Sequence, residues 1–227
     1  MSKKLLISLA IGFLAILGCL AISKAVALTG NLIVLTSNNF TALVGEISAG
    51  SVDDVIKDIQ KADSDKPFFL FINSPGGEVI AGNRLVEYLK VSPNVEVVVQ
   101  TAASMAAVIT ESVQKRHMSQ TGFLMFHHIQ TNVQGDIDQV ESRVKFAREL
   151  QDALERVVAG RLGISPEKWR GLVGFELFLN FWSAKKLNSI DDMVLVSCNK
   201  DLIGKVRTIR EMTIVGPRET EVPLCPL

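Results

Sequence analysis

The stretch KPFFLFINS, residues 66–74, is a near-continuous apolar run closed by Pro75, Gly76 and Gly77. A strand that is apolar on both sides has to be covered on both faces, which is the condition of an interior strand in a parallel sheet. Parallel neighbours in turn require crossover helices, so this one run already restricts the folds open to the chain. The rest of the sequence supplies what it demands. FTALVGEI (40–47), VEVVVQ (95–100) and GFLMFHH (122–128) read as further strands. Helical signals stand between them. Ser51 is expected to cap a helix, with Asp54 three residues later and Val52, Val55, Ile56 and Ile59 on one face. Ala81 to Lys90 reads as helical, and a short helix opens near Ser104. A long helix is expected from about Asp138 to Arg161, striped by Val140, Val144, Ala147, Leu150 and Leu154. Its Glu141–Lys145 and Asp152–Arg156 pairs have the i,i+4 spacing of ion pairs. Ser165 caps the next helix, with Pro166 in its first turn. Alternation of this kind predicts an α/β fold with a largely parallel sheet, as one domain over residues 28–197. The Pro-punctuated tail, 198–227, is expected to be extended or loosely packed.

The first 27 residues obey different rules. Lys3 and Lys4 precede an uncharged run from Leu5 to Ile22, and Ala25-Val26-Ala27 makes an A-x-A cleavage site before Leu28. This segment is expected to be an export signal: either a cleaved signal peptide or, uncleaved, a hydrophobic helix anchoring the chain in the membrane. In both cases the lysines stay in the cytoplasm and the body lies outside it, periplasmic or extracytoplasmic. Leu17-Gly18-Cys19 departs from a lipoprotein box at the bulky Leu17. Cys198 and Cys225 are the only other cysteines, and in an oxidising compartment they either pair or remain separate thiols. Elsewhere, 48% hydrophobic and 21% charged residues describe an ordinary globular chain. A formal net charge of zero and no Lys/Arg-rich run leave nucleic-acid binding without electrostatic support.

The motif inventory excludes more than it admits. No C-x-x-C, H-E-x-x-H, P-loop or G-x-G-x-x-G is present, so no metal or cofactor is expected, and G-x-S-x-G is absent as well. Of the three histidines, His117 comes after Gln114-Lys115-Arg116 and reads as a surface residue. His127 and His128 are adjacent on a strand and so point to opposite faces, which lets at most one look into a given site. Ser104, alone among small apolar neighbours, is either a helix cap or a nucleophile. Open α/β sheets bind ligands beyond the carboxyl ends of their strands. INSPGG, QTAAS and MFHH are three such ends, and together they would bring a flexible glycine turn, a hydroxyl and an imidazole to one crevice. Acyl transfer needs all three: a nucleophile, a base to take its proton, and backbone N–H donors for the oxyanion.

FINSPGGEVIAG, QTAASMAA and KRHMSQTGFLMFHH, in that order, resemble the proteolytic subunit of the Clp protease, the ClpP-like serine peptidases of the crotonase superfamily. The similarity runs from about Phe40 to Val194. GDIDQVESRVKFARELQDALERVVAGRLGIS is similar to the family's long handle helix, and FWSAKKLNSI to its closing FLSA segment. The resemblance implies a ClpP/crotonase-like superhelix of repeated β-β-α units and a ring-like homo-oligomer acting on peptides or unfolded protein. It implies Ser104 as nucleophile, His127 as general base, and the backbone N–H groups of Gly77 and Met105 as the oxyanion hole. His128 has no role in the family pattern. The family's aspartate falls two residues before the Phe of the closing segment, where this chain has Leu179, leaving Asn180 and Glu176 as neighbouring substitutes. Spoiling that acid costs a serine peptidase about four orders of magnitude in rate. Little of the family's N-terminal axial region fits between Ala27 and Phe40, which implies a peptidase working without an ATPase partner. Two other readings stand beside it: a catalytically inactive ClpP-fold scaffold or binding protein, and a crotonase-type acyl-CoA enzyme.

Overall fold

The computed structural model describes residues 31–213 and 216–227. The segment 1–27, expected to be a signal or a hydrophobic anchor helix, lies outside the described residues. Among those described, no helix is long and apolar enough to cross a membrane.

Strands β1 (Asn31–Leu35), β2 (Phe40–Ile47), β3 (Phe68–Gly77), β4 (Val95–Ala103), β5 (Lys115–His127) and β7 (Asp192–Cys198) form one sheet in the order β1-β7-β5-β4-β3-β2. Every pairing along that path is parallel. A seventh strand, β6 (Glu176–Asn180), joins antiparallel to β5. The helices are α1 (Ala49–Lys61), α2 (Val79–Lys90), α3 (Met105–Glu111), α4 (Ile137–Leu162), α5 (Pro166–Val173) and α6 (Phe181–Lys186). Strand β3 occupies the interior place its composition requires: Phe68, Leu70, Phe71 and Ile72 are all buried.

The ladders break at one level of the sheet. Register shifts fall between Val44 and Glu46, between Ile72 and Asn73, and between Val99 and Thr101. The last is the largest. Val99 pairs with Met118 and Thr101 with Phe123, so β5 carries three extra residues (five against two) in the same interval. Such bulges bend a strand and re-aim the residues beyond the bend. Strands β2 to β5 therefore each consist of a lower and an upper segment. The lower segment of β5 pairs with β7 and the upper one with β6. Gly122 sits at the bend because a Cβ there would lie 2.7 Å from the Met118 side chain and 2.9 Å from the Val99 carbonyl.

Local chemistry sets the helix ends, with some differences from expectation. Helix α1 is capped by Ser48 rather than Ser51, and the two serines form a reciprocal capping box. Val52, Val55 and Ile59 face the core as expected, each worth about 1.5–3 kcal/mol when fully buried. Ser165 caps α5 and Pro166 opens it, also as expected. In α4 the stripe is only partly sunk. Leu154 is buried with Val158, Ala159 and Leu162, whereas Val140, Val144, Ala147 and Leu150 are half-buried and Phe146 is exposed. Asp152 pairs with Arg170 of α5 instead of Arg156, because α5 packs against that side of the helix.

His117 corrects the surface reading. The strand begins earlier than its apolar run, so His117 lies in the lower segment of β5, buried, with Nε2 donating to Glu96 at 2.8 Å. Beside it Arg116 is fully buried and bound by Glu111 and Asp191, with Ser189 donating to Glu111. Burial pushes the Glu111 carboxyl up to about 7, the opposing pull of Arg116 being too small to cancel it. Asp191 is held below its ordinary value: burial opposes its charge, but the Arg116 hydrogen bonds and charge outweigh it.

The main core lies between one face of the sheet and the helices. A second, smaller core of Ile33, Leu35, Phe71, Val98, Val194 and Leu202 covers the other face. The tail is more ordered than expected. Strands β8 (Val206–Thr213) and β9 (Gly216–Pro223) pair antiparallel as a hairpin, Leu224 packs on the second core, and Cys198 forms a disulfide with Cys225.

Candidate active site

The upper segments of β3, β4 and β5 end side by side, and their ends carry the residues singled out in the sequence. Ser104 links β4 to α3 with φ 55° and ψ −125°. Among the described residues only one other non-glycine, Asn188, has a positive φ. Ser104 stands at the N-cap position but does not cap: its hydroxyl makes no hydrogen bond to the helix amides. Its backbone N–H donates to the Met125 carbonyl at 2.8 Å, which ties the turn to β5. A non-glycine residue in this region costs about 1–3 kcal/mol and persists only where its surroundings impose it. Here the hydroxyl is thrust out of the strand end and left free.

The glycine turn belongs to the same construction. At Gly76, with φ +100°, a Cβ would come within 2.7 Å of both the Ser104 Cβ and the Ala103 carbonyl. At Gly77, with φ +147°, it would meet the Ile47 carbonyl at 2.5 Å. Only glycine lets this backbone lie against the serine. Ser74 braces the turn by accepting the Gly76 N–H at 3.1 Å.

Ser104, His127, Gly77 and Met105 all line a single cavity of about 260 Å³. Its apolar wall includes Val79, Val108, Phe126, Leu154 and Trp169. A polar edge is formed by His128, Gln151 and Glu155. His127 Nδ1 lies 2.6 Å from the His128 carbonyl. A carbonyl can only accept, so Nδ1 carries a proton, and in the neutral ring this leaves Nε2 with the lone pair that a base uses. No hydrogen bond joins that ring to the Ser104 hydroxyl in the described residues, and general-base contacts are commonly long before substrate binds.

The acid position is filled differently. In the β5–β6 ladder His127 stands opposite Glu176, Leu124 opposite Leu179 and Phe123 opposite Asn180. Opposed residues share a face and successive ones alternate. Leu179 therefore lies on the face away from the imidazole, 3% exposed within the main core. Asn180 is engaged as the N-cap of α6, its Oδ1 accepting the Ser183 N–H at 3.0 Å. Glu176 is on the His127 face but exposed, with no hydrogen bond to the ring. None of the three lines the cavity.

Gln151 and Glu155 were not singled out by the sequence. The available signal was Glu155 itself, a carboxylate set at i+1 and i−3 to Leu154 and Val158 on the inward side of a helix. His128 lines the same cavity as His127, against the expectation that only one of the pair could, because β5 ends at His127 and strand alternation does not extend past it. Its Nδ1 accepts from Gln151 at 3.0 Å, with the side chain 39% exposed.

A mostly parallel α/β sheet whose strand ends gather a strained serine, a glycine turn and a histidine fits the ClpP-like fold. The sequence model of the Clp protease family matches residues 29–196, from ahead of β1 into β7 and well over half of the 227 residues. The chain belongs to the Clp protease family.

Proposed function

We propose that the protein is a serine endopeptidase that cleaves peptides or unfolded protein by acyl transfer at Ser104. Ser104 Oγ attacks the scissile carbonyl carbon while His127 Nε2 takes its proton, and the same proton then passes to the departing amine. Water, deprotonated in turn by His127, releases the acid product and restores the serine. The N–H groups of Gly77 and Met105, two residues that line the same cavity, are the proposed donors to the oxyanion. The observation that carries this reading is the backbone of Ser104, held at φ 55° with its hydroxyl uncommitted in the cavity that His127 also lines. The test is hydrolysis of a fluorogenic peptide and of unfolded casein by the purified full chain. Ser104→Ala and His127→Ala should each remove the activity, and turnover that survives both would overturn the assignment.

A second reading, a ClpP-fold scaffold without catalysis, is favoured by one observation: the acid position holds Leu179, buried and facing away from the imidazole. A folded wild-type protein with no hydrolysis would select it.

We further propose that the protein is exported and works without an ATPase. The support is the Lys3/Lys4 and Leu5–Ile22 pattern, together with the Cys198–Cys225 disulfide, which suits an oxidising compartment. A reporter active only outside the cytoplasm, fused after residue 40, should be active, and an inactive fusion would contradict export.

A further inference from the structure

We propose that Gln151 and Glu155 are positioning residues for His127, acting through the peptide group between His128 and Ile129 in place of a direct carboxylate. This rests on the peptidase reading of Ser104 and His127. The wiring is continuous and runs in one sense. His127 Nδ1 donates to the His128 carbonyl at 2.6 Å. The N–H of that same peptide group, on Ile129, donates to Gln151 Oε1 at 3.0 Å. An amide N–H cannot accept, so this contact fixes which end of the Gln151 amide faces it. Gln151 Nε2 then donates to Glu155 Oε1 at 2.9 Å and to His128 Nδ1 at 3.0 Å. Glu155 is 6% exposed and receives Arg170 Nε on its other oxygen, while Arg170 also holds Asp152 at 2.6 Å.

The wiring has two physical effects. The first is orientation. Residues 128–134 form no regular element, so no strand ladder fixes the plane of the 128–129 peptide. Gln151, anchored on α4, fixes it, and with it the carbonyl that selects the His127 tautomer. The second is polarisation. A peptide whose N–H is engaged by an acceptor becomes a stronger acceptor at its carbonyl, by about 10–30% per bond in such chains. Two amides in series thus carry some of the pull of the Glu155 carboxylate to the imidazole edge. A direct acid would do more. The spacing of Gln151 and Glu155, four apart on α4, is what puts both on the same side of the helix to make the link.

The test uses the full chain, with steady-state peptide hydrolysis and the ¹⁵N spectrum of the His127 ring as readouts. Wild type should show His127 in the Nδ1–H tautomer alone. Gln151→Ala should lower kcat by about tenfold to a hundredfold, short of the roughly 10⁴ that a direct acid commands, with KM moved about twofold or less. Its His127 ring should populate both tautomers. Glu155→Gln keeps the side-chain volume and removes the charge, so it should give a smaller loss of kcat. It also carries the test if Gln151→Ala does not fold. Active variants with wild-type kcat and a pure Nδ1–H ring would overturn the relay while leaving the peptidase reading intact. A wild type without hydrolysis, whose His127 tautomer still mixes on Gln151→Ala, would support the relay and sink the peptidase reading instead.

Discussion

Ser104 stores conformational strain that alanine cannot release and glycine can. Its φ of 55° and ψ of −125° suit a residue without a Cβ, and that Cβ leaves no room for one at Gly76. Ser104→Ala should therefore be inactive and no more stable than wild type. Ser104→Gly should be equally inactive yet exceed the alanine variant by about 1 kcal/mol in urea unfolding, the strain relieved less the glycine entropy. A glycine variant less stable than the alanine variant would show that the turn is unstrained. At this scale the sequence was partly legible. The small neighbours of Ser104 and the paired glycines were visible as types, but whether the hydroxyl caps the helix depends on backbone angles, which no local pattern fixes. The role proposed for His128 leaves no sequence signal for a similar reason: it lies in its carbonyl, which every residue has.

Among the elements, β5 decides most. Its upper half was readable as GFLMFHH because the apolar run is there. Its lower half, Lys115–Ser119, looks polar and conceals a buried Arg116 and His117, whose partners come from α3, β4 and Asp191 just ahead of β7. Burial of that kind depends on distant charges and leaves no periodic trace. It has a pH consequence. In the fold Glu111 holds its proton up to about 7, above its ordinary 4.5, so folding takes up a proton between those values. Its stabilising share is complete below 4.5 and fades as the pH rises towards 7. Urea midpoints of wild type should fall across that window relative to Glu111→Gln, which cannot titrate, and parallel curves would refute the shift. The β5–β6 register makes a further prediction. Leu179→Asp would bury a carboxylate on the core side, facing away from His127, at a cost of about 3–5 kcal/mol. Peptide hydrolysis by the folded fraction should not accelerate, and a faster enzyme would mean that the ladder permits the side chain to reach the ring.

At the scale of the whole molecule, several large apolar side chains among the described residues are exposed. Phe146 on α4, Phe178 on β6, Trp182 on α6 and Phe175 between α5 and β6 are all more than half exposed. Exposed aromatics of this number suggest an interface between copies. Clp protease family members generally form ring-like oligomers. We expect a ring-like homo-oligomer in light scattering at micromolar concentration, reduced to smaller species by Phe146→Glu with Phe178→Glu, whereas a monomeric wild type would contradict it. The parallel sheet was readable from its apolar runs, and the hairpin of the tail was not, since it and the Cys198–Cys225 disulfide depend on contacts with a sheet face far away in sequence. The peptidase reading stands or falls on whether Ser104 is a nucleophile. A fluorophosphonate probe joins to an activated serine with loss of fluoride, so intact-mass and peptide analysis of the treated full chain gives the most direct reading. Wild type should gain one adduct, on Ser104, that Ser104→Ala and His127→Ala do not acquire; a folded wild type that gains none, or an adduct that persists in Ser104→Ala, would contradict the account.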